Sequence, residues 1–469
     1  MTYEIKEDFL LETDVARNLY ERIRGLPIID YHSHLPIDVI AGNKPFANLT
    51  DIWIRGDHYK WRAMRLNGIP ERYCSGKASD VDKFKAWART VPLTIRSPLH
   101  HWSCLELKRY FGIQTELTPD NAAMVWETAN ALLRTDDFRP RDLLRRMQVE
   151  VLCTSDDPVD SLEYHYQLRD DTGFAVKVFP TFRPDRALAI DDRDLFDSWL
   201  KRLEKAACTD ITNLDSFLVA LRTRHEAFSA AGCCISDHGL ERCYALACSD
   251  GQAQKIFGRY LCHESLNPTE IEQWRSYLMR EFARWDQDKG WTMLLHLGAL
   301  RNNNSRIYAA VGFDTGCDSI GDFDQARALN GFLNSLDAER RLPKTVIFNS
   351  NARDNLLFAT VAGNFFGDNV VGKVRCGPPW WFLDHAEGIR AQLDALSQVG
   401  LFPHFVGMTT DSRSFLSFPR HDYFRRVVCN VIGDDVRRGL VPGDMDRLER
   451  TLRGVFYENA LNCFDWKSA

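Results

Sequence analysis

From residue 149 onward, short runs of apolar and β-branched residues recur with helix-like sequence between them. They are Val149–Ser155, Phe174–Thr181, Gly232–Asp237, Thr292–Leu297, Thr345–Asn349, Gly372–Cys376 and Phe405–Thr410. The intervals include Asp191–Ala207, Thr269–Gln287, Asp324–Ser335 and Ala386–Val399, all amphipathic in the helical manner. A further run, residues 27–34, precedes them. Near-continuous apolar strands separated by helices predict parallel pairing buried on both faces. Eight such units predict an α/β chain closed into a distorted (β/α)8 TIM barrel. A doubly wound open sheet is the alternative, but it would place a Gly-rich phosphate turn after its first strand. That position here holds His32-Ser33-His34.

The interval 37–147 breaks the rhythm. It contains no convincing strand and is rich in Trp, Arg and amphipathic patches, such as residues 82–89 and 100–110. No Gly/Ser/Pro linker bounds it, so it reads as a helical insertion after the first strand within one domain spanning 1–469. A net charge of −6 gives no reason to expect a nucleic acid or anionic membrane partner. No apolar run approaches the roughly 18 residues of a spanning helix, and the N-terminal stretch lacks the apolar region of a secretory signal. The thirteen cysteines form no CxxC pair, as expected of reduced thiols in a cytoplasmic protein.

A parallel barrel carries its chemistry at the C-terminal ends of its strands. The first strand ends in Asp30-x-His32-x-His34, and period-two alternation sends all three side chains to one side. Two imidazoles about 6–7 Å apart along a strand are placed to hold one divalent metal. Asp411 follows the eighth run, and its carboxylate would complete a facial set of two imidazoles and one carboxylate with open positions. Alone, it also reads as a strand-end cap or a partner of Arg413. Arg413 can neutralise that aspartate or grip a substrate carboxylate in bidentate fashion. His296 reads as a further ligand or as a satisfied core histidine. Arg183, in a Phe-Arg-Pro turn, either binds an anion or packs on the surface. Trp380-Trp381 reads as core or as a flat wall against a sugar face. His58-Tyr59 can serve proton transfer, but on the residues alone it reads as an ordinary surface dipeptide. Cys233-Cys234 reads as core, and Lys177, early in its strand, as structural.

Together these segments resemble the uronate (glucuronate) isomerase family, a divergent branch of the amidohydrolase superfamily. The resemblance rests on Asp30-Tyr-His-Ser-His34, Lys177-Val-Phe-Pro-Thr-Phe-Arg-Pro-Asp185, Ser236-Asp-His-Gly-Leu240 and His296-Leu-Gly-Ala-Leu-Arg-Asn-Asn-Asn304. Asp314-Thr-Gly-Cys-Asp318, Trp380-Trp-Phe-Leu-Asp384 and Gly407-Met-Thr-Thr-Asp-Ser-Arg-Ser-Phe415 extend it over nearly the whole chain. It implies interconversion of D-glucuronate with D-fructuronate, and of D-galacturonate with D-tagaturonate, in hexuronate catabolism. It also implies one divalent metal, commonly zinc, on His32, His34 and Asp411. His58, Tyr59 and Arg413 are thereby assigned to the site, with Arg183, His296, Arg301, Trp380 and Trp381 as substrate-side neighbours. The turn Gly377-Pro-Pro departs from the Gly-Ser-small pattern more usual in the family. A barrel with so large an insertion is expected to form a homo-oligomer. The competing expectation is a metal-dependent hydrolase of the same superfamily, an amidase or deaminase. A non-catalytic sugar-acid binding barrel would have lost the metal set, which is intact.

Overall fold

The structure, a computed structural model, describes residues 3–466. Strand β1 (Ile28–Asp30) pairs in parallel with β2 (Val149–Cys153), and β2 with β3 (Lys177–Phe179). β4 (Ile235–Leu240) and β5 (Thr292–Leu297) are followed by a short antiparallel hairpin, β6 (Ala299–Leu300) and β7 (Ser319–Ile320). β8 (Lys344–Asn349) and β9 (Val374–Cys376) complete a parallel sheet in the order β4-β5-β8-β9. Phe182 joins the two sheets: its N–H donates to Ile235 O at 3.0 Å, and its carbonyl accepts from Asp237 N at 2.9 Å. Every residue of β5 is buried, as a strand covered on both faces requires.

The eighth run behaves differently. Residues 405–410 join no ladder, because two local features redirect the backbone. Gly407 adopts φ +78° and lies so close to the 454–458 turn that a Cβ would sit 2.6 Å from Val455 O. The Asp30 carboxylate then takes the Thr410 N–H at 2.8 Å and its hydroxyl at 2.6 Å, in place of a strand carbonyl. The chain still closes on β1 beyond the strand end, through Asp411 N to His32 O (3.2 Å) and His34 N to Ser412 O (3.0 Å). Asp30 is therefore occupied by the closure, and the expected row of Asp30, His32 and His34 on one side yields only the two histidines. The result is a distorted (β/α)8 barrel.

Between β1 and β2 the chain runs through successive helices from Ile37–Gly42 to Pro140–Arg146. One of them, His58–Leu66, starts at an Asp57 cap that accepts the Lys60 N–H at 3.0 Å. His58 and Tyr59 thus stand on the first turn of a helix, not on a surface loop. The helices packed outside β4 and β5 include Pro268–Lys289, with a capping box at Asn267, proline in its first turn and a left-handed Gly290 at its end. β4 itself starts three residues later than its apolar run suggests. Alternation along it turns Ser236 and His238 to that helix, where Ser236 bonds Asp286 and His238 stacks on Phe282, while Asp237 faces the barrel mouth.

Candidate active site

A cavity of about 530 Å³ opens at the C-terminal ends of the strands. His32, His34, His58, Arg183, His296, Arg301, Trp380, Trp381, Asp411 and Arg413 all line it, bringing together residues from five strand ends and the insertion. Tyr59 is absent from that lining and borders a smaller void shared with His58, Asp411, Arg413 and Arg420.

At its centre, His32 Nε2 and His34 Nε2 lie 3.0 and 3.1 Å from the same oxygen, Asp411 Oδ1. The Trp380 indole N–H donates to the other oxygen, Oδ2, at 2.7 Å, which leaves Oδ1 to the imidazoles. Burial raises the Asp411 carboxyl, but hydrogen bonds and charge from His32 and His34 overcome it and hold the group well below the usual carboxylate range. Burial lowers His34, only partly opposed by Asp411. For His32 burial also acts downward, but Asp237 and Asp411 outweigh it and leave the imidazole raised. Two imidazole nitrogens and a carboxylate oxygen, all within 4.8 Å of one another, are a donor set that fits a divalent metal.

A second trio shares His32. Its Nδ1 lies 3.6 Å from Asp237 Oδ2, and His296 Nδ1 lies 2.8 Å from Asp237 Oδ1. Here a guanidinium intervenes: Arg183 Nη1 donates to Asp237 Oδ2 at 2.8 Å, joined by the Ser155 hydroxyl at 3.0 Å. Arg183 also donates to Asp185 at 2.9 Å, and Gly239 makes room for it, since a Cβ there would sit 2.3 Å from Arg183 Nη2. Asp237 is held far below its ordinary range by Arg183 and the two histidines against strong desolvation. Burial and the neighbouring His32 push His296 down to about 4.

The remaining arginines are paired differently. Arg413 Nη2 donates to Asp314 Oδ2 at 2.7 Å, and Arg301 Nη1 lies 3.6 Å from Asp314 Oδ1. Arg301 also lies over Trp381, 5.3 Å from the ring centroid, and His58 packs edge-on against the same indole. Burial, helped by Arg413, lowers His58 to about 4 and keeps it neutral at physiological pH. Tyr59 donates to Asp384 Oδ2 at 2.9 Å.

Three residues of this architecture escape sequence reasoning. Asp237 was in view in the Ser-Asp-His-Gly stretch, and alternation sets it opposite Ser236 and His238, but alternation alone does not say which face of the strand meets the barrel mouth. Asp314 lies in the β6–β7 connection and Asp384 in the turn after the tryptophans, where no periodicity applies. Lys177, the residue a carboxylated-lysine hydrolase site would need, is exposed at the start of β3.

The model of the family described as glucuronate isomerase matches residues 1–464. A uronate isomerase of Opitutus terrae is 49% identical over 461 residues, 98% of this chain and 97% of its own. The crystal structure of a Thermotoga maritima uronate isomerase superposes with a TM-score of 0.93 at 32% identity, covering 98% of this chain and 100% of the other. That of a Caulobacter crescentus glucuronate isomerase gives 0.91 at 28% identity, covering 98% and 96%. The family model and these relatives each span nearly the whole chain, and the chain belongs to the glucuronate isomerase family.

Proposed function

We propose that this enzyme interconverts D-glucuronate with D-fructuronate, and D-galacturonate with D-tagaturonate, as an aldose–ketose isomerase working through a cis-enediol. The observation that carries the reading is the pairing, in one cavity, of a divalent-metal donor set with two guanidiniums that share a single carboxylate. The first suits an α-hydroxycarbonyl, the second an anionic tail.

His32, His34 and Asp411 would hold one divalent ion, and their two nitrogens and one oxygen suit Zn2+. When bound, that ion supplies Lewis acidity for an oxygen at the reacting end and for the charge of the enediol. Asp411, kept ionised, accepts a sugar hydroxyl proton as the ring opens. Tyr59 carries the carbon-bound proton between C2 and C1. His58, neutral beside it, offers a hydrogen bond to a substrate hydroxyl. Arg183 has its charge matched by Asp237 and Asp185. Among the described residues the carboxylate that directly pairs with Arg413 and Arg301 is Asp314, which they share. This side of the cavity therefore carries the less fully matched positive charge and takes the uronate carboxylate. Trp380 and Trp381 form the apolar wall against the sugar.

The test is proton NMR of the metal-analysed protein with D-glucuronate in D2O. Conversion to fructuronate is expected, with the deuterium content at C1 reporting how far the carried proton exchanges. No turnover of glucuronate or galacturonate by metal-loaded protein would overturn the reading in favour of hydrolysis.

A further inference from the structure

Behind the cavity, Tyr59 stands against two buried groups, Asp384 and Arg420, that the reaction scheme above does not use. Its phenol has one proton, and that proton is given to Asp384 Oδ2 at 2.9 Å, so only lone pairs remain for the void shared with Asp411. Asp384 is 6% exposed. Arg420, 3% exposed, lies over the Tyr59 ring at 5.3 Å and over Trp102 at 4.1 Å. It donates to Thr410 O at 3.1 Å, and its Nη1 is 3.9 Å from Asp384 Oδ2. The groups acting on Asp384 are Tyr59, Arg420, Asp411 and, from the helix Pro419–Arg437, Tyr423. Arg420 also faces Asp57 and Glu106, so it is the shared cation of a buried acidic group in which Asp384 stands beside the phenol.

This arrangement poses a difficulty for Tyr59 as a base of its own. Burial, reinforced by Asp384, holds the phenol well above 10, so a phenolate is not available at neutral pH. Burial also raises Asp384, against Arg420 and the Tyr59 hydrogen bond, which makes it a better proton acceptor than an ordinary aspartate.

Resting on the isomerase reading, we propose that Asp384 receives the Tyr59 hydroxyl proton as Tyr59 takes the proton from substrate carbon, the pair working as a relay. In that step the C–H bond breaks, its electron pair becomes the C1–C2 double bond of the enediol, and the carbonyl pair moves onto oxygen. The carbon-bound proton arrives on the Tyr59 oxygen, and the phenol's own proton arrives on Asp384 Oδ2. Before collapse the C2 hydroxyl proton passes to the C1 oxygen, the two oxygens lying side by side in the cis-enediol. C2=O then forms as the double-bond pair takes the proton from Tyr59 at C1, and Tyr59 recovers its own from Asp384. Tyr59 is neutral before and after, and the negative charge passes from the Asp384 carboxylate to the enediolate oxygen and back. Asp384 is a positioning residue that also stores the proton, and Arg420 holds it in register.

The test is a double-mutant cycle of Asp384→Asn and Tyr59→Phe in the metal-loaded, full-length enzyme. Asparagine keeps an acceptor for the phenol but cannot hold the proton, so a purely orienting role would survive it. Expected is a kcat loss of about 10²–10⁴-fold in each single variant, KM within a few-fold of the parent, and a double variant no slower than the slower single. A kcat for Asp384→Asn close to the parent's overturns the relay, as do losses that multiply in the double variant. If Asp384→Asn does not fold, the cycle is run with Asp384→Glu, which keeps an acidic acceptor displaced by one methylene, and multiplying losses again overturn the relay. The parent is assayed alongside with D-glucuronate: its failure to turn over overturns the isomerase reading itself, whereas multiplying losses in an active parent background overturn the relay alone.

Discussion

His32 turns its two nitrogens to two different carboxylates, and the two sides are built from nearly the same parts. On the Nε2 side stand Asp411 and His34; on the Nδ1 side stand Asp237 and His296. Each trio places its donor atoms within 4.8 Å of one another. They differ in counter-charge and in access. Asp237 is fully buried and already neutralised by Arg183 at 2.8 Å. Asp411 is partly open to the cavity, and among the described residues no lysine or arginine pairs with it. A buried carboxylate needs a cation. Where the chain supplies a guanidinium, the trio becomes scaffolding that orients His32; where it supplies none, the trio is left competent for a metal.

The strongest way to break this comparison is to exchange the two carboxylates for amides in turn. Asp411→Asn should lose its metal, read by elemental analysis, and with it turnover by about 10³-fold or more, since metal-borne charge stabilisation is worth several kcal/mol. Asp237→Asn should keep the metal but bind it about 10–100-fold more weakly in a chelator competition, as expected for a carboxylate that orients a ligating imidazole. Equal metal loss in both variants would make Asp237 a ligand; unchanged affinity in Asp237→Asn would remove its orienting role.

A gentler probe is Asp314→Asn. Arg413 and Arg301 then keep their places with no carboxylate between them. In this half-exposed setting the freed charge is worth up to about 1 kcal/mol, so KM for D-glucuronate should fall by up to about five-fold and rise again with salt. A raised KM would show instead that Asp314 aligns the guanidiniums.

How much of this was legible beforehand follows from the physics of each element. β5 could be read from its sequence because every residue of Thr292–Leu297 is apolar or buried, and the helix Ala386–Val399 because its period is unbroken. His32, His34 and Asp411 were visible because strand ends in a parallel barrel are where polar groups gather. The eighth run looked equally regular, but Gly407 and the Asp30 carboxylate act through tertiary contacts with Val455 and Thr410 that no local pattern encodes. The β6–β7 hairpin was invisible for a simpler reason: two residues per strand carry no periodicity. The neutralisation of Asp237 by Arg183 joins residues 54 positions apart, so Arg183 could be named as a candidate while its partner could not.

A third histidine–carboxylate contact sharpens the comparison, because it has neither metal donors nor a guanidinium. His165 Nε2 lies 3.8 Å from Asp156 Oδ2, and the Thr154 hydroxyl contacts both at 2.8 and 2.7 Å. Burial pushes Asp156 up to about 7 and His165 down to about 4, so each is neutral in the fold near pH 6. The signs oppose. Between about 3.9, where an unfolded aspartate titrates, and 7, the folded state holds the extra proton on Asp156, and that contribution to stability falls as pH rises. Between 4 and about 6.5, where an unfolded histidine titrates, the unfolded state holds the extra proton, and the His165 contribution falls as pH drops. Each slope is about 1.4 kcal/mol per pH unit, so across the shared window the pair cancels. Asp156→Asn removes one arm. Relative to the parent, its unfolding free energy in urea should then decline by up to about 1.4 kcal/mol for each unit of acidification from pH 6.5 toward 4. Parallel curves for the two proteins would mean that this contact, too, keeps its charges.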